Sequence, residues 1–215
     1  MSAPRVVRVS QEGLEAAAGT AAGVLAGGKL VVMPTDTVYG LAASLDHPHA
    51  IRAVFAAKDR PADMPLPVLV ASLAEAERLV PGELEAHEDL LDAHWPGALT
   101  VIVKSSPRIP AEVTAGRDTV GLREPDSPIA RAVLRAAGGA LAVTSANISR
   151  EPPACEVSEL SADLLARVEV VIDGGPCPGG TASTVLDLST GPPRVLRRGP
   201  VSADELRSIL PVLKT

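Results

Sequence analysis

The chain has 215 residues, 46% hydrophobic and 21% charged, a balance that excludes dominant disorder and suits one sizeable core. Its net charge of −6 argues against a broad grip on a nucleic-acid backbone, and one Phe, one Tyr and one Trp supply no platform for stacking bases. Cys155 and Cys177 are too sparse for a disulfide framework, and no apolar run suits a leader or a membrane span, so a cytoplasmic protein without membrane contact is expected.

Short β-branched runs alternate with Ala- and Leu-rich segments, the pattern of an α/β domain. Residues 5–9 read as a strand, and Ser10 as the cap of a helix with Leu14, Ala18, Ala21 and Leu25 on one face, stopped by Gly27 and Gly28. Residues 30–33 make a wholly apolar strand, which implies cover on both faces. Pro48 opens a helix in which Ile51, Val54, Phe55 and Lys58 share one stripe, so a lysine lies against the core. Strands at 66–71 and 98–104 flank a helix over 83–94 and the Trp95-Pro96-Gly97 turn. A strand at 119–122, a helix opened by Pro128, and a buried strand at 140–143 come next. Strands at 168–173, 184–188 and 194–196 complete the sheet, and Ser202 with Glu205 forms a capping box for the last helix. No repeat or linker interrupts this order, and a single domain over 1–215 is expected.

Polar clusters interrupt the pattern where apolar strands end. Thr35-Asp36-Thr37 follows Met33, and Thr144-Ser145-Ala146-Asn147 follows Val143. Ligands in open α/β sheets sit beyond strand ends, although the same residue types also build turns and helix caps. Lys58 and Arg60 close a helix, where cations complement its dipole; a lysine against the core also calls for an anionic partner, phosphate or carboxylate. Arg123 ends an apolar strand, either as an ion pair with Glu124 or as a fork for a ligand anion, and Arg197 with Arg198 reads as a solvated charge run. Gly174 to Thr181 has Gly180 where a phosphate loop needs lysine, and the four histidines lack metal-ligand spacing. No serine-hydrolase elbow or dinucleotide fingerprint is present.

Taken together, the ordered stretches Pro34-Thr35-Asp36-Thr37-Val38-Tyr39-Gly40-Leu41, Lys58-Asp59-Arg60-Pro61, Trp95-Pro96-Gly97, Val120-Gly121-Leu122-Arg123, Ser145-Ala146-Asn147, Ser183-Thr184-Val185 and Arg197 with Gly199-Pro200 resemble the YrdC/TsaC-like threonylcarbamoyl-AMP synthases. The resemblance implies an open twisted mixed sheet flanked by helices, with a concave cationic cavity. It implies an enzyme that forms threonylcarbamoyl-AMP and pyrophosphate from L-threonine, bicarbonate and ATP, for modification of adenosine 37 in tRNA. Lys58, Arg60, Ser145 and Asn147 match the family's ATP tetrad, and Thr119 and Arg197 match further nucleotide contacts. Thr37, Arg123, Val143 and Ser183 match contacts to threonine. Magnesium accompanying ATP is implied, with no protein-bound metal or organic cofactor. The implied partners are a tRNA threonylcarbamoyl transferase complex that takes the product, and tRNA itself through weak binding. Met64 and Leu69 stand where many relatives have Asn and His. The alternatives are an RNA-binding module without catalysis and a carbamoyl-adenylate-forming enzyme.

Overall fold

The computed structural model describes residues 3–214. β1 (Arg5–Arg8) runs through one helical turn, α1 (Val9–Glu12), into α2 (Leu14–Ala26). The expected cap at Ser10 is not used: Gly13, at φ 83°, breaks the helix and is itself the N-cap of α2, a backbone that glycine adopts without steric cost. β2 (Val31–Met33), β3 (Gly40–Ser44), α3 (Pro48–Ala57), β4 (Val68–Val70), α4 (Leu73–Leu79) and α5 (Glu88–His94) follow. Next come β5 (Leu99–Lys104), α6 (Ala111–Thr114), β6 (Thr119–Arg123), α7 (Pro128–Ala136) and β7 (Ala140–Ser145). The chain closes with α8 (Ala162–Leu165), β8 (Val170–Asp173), β9 (Thr184–Asp187), β10 (Arg194–Arg197) and α9 (Ala203–Ile209).

Three elements differ from expectation. β3 is built from small residues without β-branching, and pairing on both sides with β2 and β7 makes it a strand with all five residues buried. α4 starts at Ser72, whose hydroxyl accepts from the backbone N–H of Glu75, a Ser-x-x-Glu start signal that the sequence carries. The helix expected over 83–94 is a 3-10 turn, Glu85–His87, followed by α5.

Among the described residues, ten strands form one mixed sheet in the order β1-β8-β2-β3-β7-β4-β6-β5-β9-β10. Alternation sorts its side chains between two cores. Val32, Leu41 and Ala43 join a core with α3, α4, α5, α6, α8 and α9. Val31, Met33 and Ala42 face the opposite way, onto α2 and α7. Ala17, Ala18, Ala21 and Leu25 of α2 meet Ala130, Val133 and Leu134 of α7 in that second core. Overpacking there, for example Ala21→Leu, costs about 1–3 kcal/mol.

Of the strands, the second core takes residues from β1, β8, β2, β3, β7 and β4. On that face, among the described residues, β6, β5, β9 and β10 contribute nothing to it. The part of that sheet face formed by these four strands is therefore left free for another purpose.

Candidate active site

The free part of the sheet face forms the floor of a cavity. Val120 and Leu122 of β6 point into the first core, so Thr119, Gly121 and Arg123 point to the free face. The same alternation sends Val101 to the core and turns Thr100 toward the cavity. Register supplies the rest: Val68 of β4 stands opposite both Leu122 of β6 and Ala142 of β7. Stepping equally back along β6 and forward along β7 brings Thr119 level with Ser145.

The segment between β2 and β3 forms one wall. The Thr35 hydroxyl oxygen accepts the backbone N–H groups of Thr37 (3.1 Å) and Val38 (3.2 Å) and donates to the Val38 carbonyl (2.7 Å). Its proton is thereby committed, so in the 3.0 Å contact between the two hydroxyls Thr37 is the donor. The Thr37 oxygen in turn accepts from Arg123 Nη1 at 3.0 Å. Behind this wall, Gly180 N–H donates to the Thr37 carbonyl at 2.8 Å, and a Cβ on Gly179 would stand 2.6 Å from the Asp36 carbonyl. Gly174 and Gly179 of the 174–181 stretch thus serve close packing. Tyr39, fully buried, pins the same stretch by donating to the Gly175 carbonyl at 2.8 Å and accepting from Gly174 N–H at 3.3 Å.

Three arginines converge on the cavity. Arg123, 5% exposed, donates from Nε to the Gly97 carbonyl (2.8 Å) and from Nη2 to Asp36 Oδ1 (2.6 Å). Its ion partner is thus Asp36, while Glu124 pairs with Arg131 at 3.4 Å. Burial lowers the Arg123 pKa and Asp36 works against that shift. Arg197 donates from Nε to the Ser183 carbonyl (3.0 Å) and from Nη2 to the Ser183 hydroxyl (3.1 Å), which also meets the Thr100 hydroxyl at 2.8 Å. Arg60 donates from Nη2 to the Pro65 carbonyl at 3.0 Å. The Arg197 pKa is lowered by burial first, then by the charges of Arg123 and Arg60, so Arg197 lies within electrostatic reach of both. Such a cluster, with Asp36 as its paired carboxylate, is complementary to a polyanion.

The cavity, about 160 Å³, is lined by all four residues expected for the amino acid: Thr37, Arg123, Val143 and Ser183. From the expected nucleotide set, Arg60, Ser145 and Arg197 line it as well. Lys58, Asn147 and Thr119 do not: Thr119 lies level with Ser145 as above, and Lys58 and Asn147 sit behind the Ser145 turn. Lys58 caps the end of α3 and is 1% exposed, so its place on the apolar stripe holds; its partners are main-chain and amide oxygens of Ser145 and Asn147, not an anion. Burial, with Arg60 as the second cause, lowers its pKa to about 8. Ser145 is the last residue of β7, still paired with Gly40, so Thr144 and Ser145 belong to a strand and not to a cap.

Of the two departures from the family pattern, Met64 is exposed and Leu69 lines the cavity beside Val143, where it makes an apolar patch. Asp36 and Thr100, which stand in matched stretches but carried no expected role, complete the site; no local spacing ties Asp36 to Arg123, which only the fold brings together. A larger cleft of about 960 Å³ lies between α3 and the β1 edge, but none of the expected residues lines it, and its Arg167 is engaged with α3 carbonyls and Asp59. Among the described residues, no group of three or more His, Cys, Asp or Glu is placed to hold a metal, and no helix is long and apolar enough to cross a membrane.

Residues 23–199 match the Sua5_yciO_yrdC family, which carries the description telomere recombination. A relative from Mycobacterium tuberculosis is 41% identical over 193 residues, 90% of this chain and 88% of its own. The threonylcarbamoyl-AMP synthase of Bacillus subtilis is 37% identical over 191 residues, 88% of this chain and 55% of the relative. The structure of Pyrococcus abyssi Sua5 complexed with L-threonine superposes with a TM-score of 0.92 at 36% identity, covering 99% of this chain and 62% of that one. The chain thus spans between half and two thirds of the length of the last two.

Proposed function

The chain belongs to the Sua5_yciO_yrdC family, and from that premise we propose that it is an L-threonylcarbamoyladenylate synthase acting as a single catalytic domain. The observation that carries the proposal is the convergence of Arg60, Arg123 and Arg197 with the hydroxyls of Thr37, Ser145 and Ser183 on one small cavity.

On this reading the cavity serves two ligands. Arg123 and the Thr37 and Ser183 hydroxyls, with the apolar Leu69–Val143 wall, suit a small zwitterion carrying a methyl group, and threonine fits that description. Arg60, Ser145 and Arg197, with Thr119 in the same row as Ser145, suit the phosphates of ATP. Neutral threonine amine and bicarbonate give the carbamate and water. A carbamate oxygen then attacks the α-phosphorus, the bond to the β-phosphate breaks, and pyrophosphate leaves. Such chemistry asks the protein for alignment and charge stabilisation, which fixed guanidinium groups provide. No side chain needs to act as a nucleophile. Asp36, the carboxylate joined to this cluster, is committed to Arg123. Magnesium accompanies the phosphates of ATP on this reading, as part of the substrate. The product, a mixed carbamic–phosphoric anhydride, suits transfer of its carbamoyl group to an amine on tRNA by a downstream transferase.

Pyrophosphate release from the purified protein tests this reading, with threonine or bicarbonate omitted in turn. Release that depends on both is expected. Release without threonine, driven by carbamoyl phosphate, would assign a carbamoyl-adenylate enzyme instead; salt-sensitive RNA binding with no ATP consumption would assign a binding module.

A further inference from the structure

Lys58, Arg60, Ser145 and Asn147 separate by what they touch. We propose that Arg60 and Ser145 face the ligand, whereas Lys58 and Asn147 are positioning residues that form a buried clamp holding the Ser145–Asn147 turn. The inference rests on the nucleotide site proposed above.

An ammonium has three protons. Those of Lys58 are taken by the Ser145 carbonyl, the Asn147 carbonyl at 2.5 Å and Asn147 Oδ1 at 3.2 Å. Asn147 is committed in the same way: its Nδ2 donates to the carbonyls of Ile148 (2.9 Å) and Glu151 (2.7 Å) while its oxygen accepts from Lys58. The two backbones are laced in the other direction too, since Ser149 N–H donates to the Lys58 carbonyl at 2.8 Å. Neither side chain lines the cavity, and both Arg60 and Ser145 do.

The clamp has a definite task. The β7 ladder ends at Ser145, opposite Gly40. Beyond it, Ala146 N–H donates to the Tyr39 carbonyl at 2.7 Å on one side, and Lys58 gathers two carbonyls of the turn on the other. The Ser145 hydroxyl is fixed through its own backbone. For Lys58 to bind a phosphate directly, it would have to abandon at least one of these acceptors and leave a shielded carbonyl unpaired.

Calorimetric binding of a non-hydrolysable ATP analogue with magnesium, to the wild type, Lys58→Met, Asn147→Ala and the double variant, tests the proposal. Each single change should weaken binding by about tenfold or more, and the double change no more than the stronger single one, because both break one clamp. Threonine binding, which depends on Arg123 and Thr37, should stay within about twofold. A double loss equal to the product of the singles, or an equal loss of threonine binding, overturns the clamp while leaving the proposed activity intact. Absence of analogue binding by the wild type overturns both. Should Lys58→Met fail to fold, a structure of the wild-type complex decides: Nζ retains its three oxygens, or a phosphate oxygen within hydrogen-bond reach of Nζ refutes the clamp.

Discussion

Arg123 allows the proposed threonine site to be tested by subtraction. It is 5% exposed, and its guanidinium holds the Gly97 carbonyl at 2.8 Å, the Thr37 hydroxyl at 3.0 Å and Asp36 at 2.6 Å. In Arg123→Met the side-chain volume is nearly kept, but Asp36 is left as a largely buried carboxylate without its cation. Breaking a buried pair in this way costs about 3–5 kcal/mol of folding stability. Adding Asp36→Asn removes the stranded charge, so the double variant should be more stable than the single one. The ligand effect separates from the stability effect. Losing a charge-assisted contact to a carboxylate costs about 1.5–3 kcal/mol, roughly a 10- to 150-fold rise in threonine KM, and the double variant should not recover it. Denaturant unfolding reads the first quantity and pyrophosphate release at varied threonine and ATP reads the second. Equal rises in the KM of threonine and ATP, or a double variant less stable than Arg123→Met, would refute the reasoning.

Lys58 makes stability and ligand binding respond to pH in opposite directions. Its pKa is lowered to about 8, below the ordinary lysine value, so between about pH 8 and 10 the unfolded chain holds the extra proton and folding stability rises with pH, by up to about 3 kcal/mol. Over the same range the clamp loses a proton and nucleotide affinity should fall; Lys58→Met should flatten both trends in thermal and calorimetric titrations. Tyr39→Phe leaves the Gly175 carbonyl and Gly174 N–H without their shared partner and should cost about 1–3 kcal/mol in denaturant unfolding. Gly179→Ala would drive a methyl to 2.6 Å from the Asp36 carbonyl, so threonine KM should rise more than ATP KM; an unchanged threonine KM would dissociate the glycine stretch from the site.

Much of this architecture can be read from the chain itself. Strand runs such as 30–33 and 140–143 announce themselves by uninterrupted apolar residues, and the capping box at Ser202 and Glu205 is formed as its spacing implies. Lys58 on the apolar stripe of its helix is likewise found buried. β3 escapes because Gly40-Leu41-Ala42-Ala43-Ser44 carries no strand propensity and depends on its neighbours for its state. Local spacing also cannot supply long-range pairing. Glu124 adjoins Arg123 in sequence yet sits with Arg131, whereas Asp36 arrives from a distant loop. The ordered motifs name the residues around the cavity, but only geometry separates those that line it from those behind it.

The central claim is that one cavity joins threonine, bicarbonate and ATP into a single adenylate. Mass analysis of the nucleotide product formed with carbon-13 bicarbonate examines it most directly. The account predicts a threonine-containing adenylate heavier by one mass unit than that made with ordinary bicarbonate; an adenylate lacking either the label or the amino acid would contradict it.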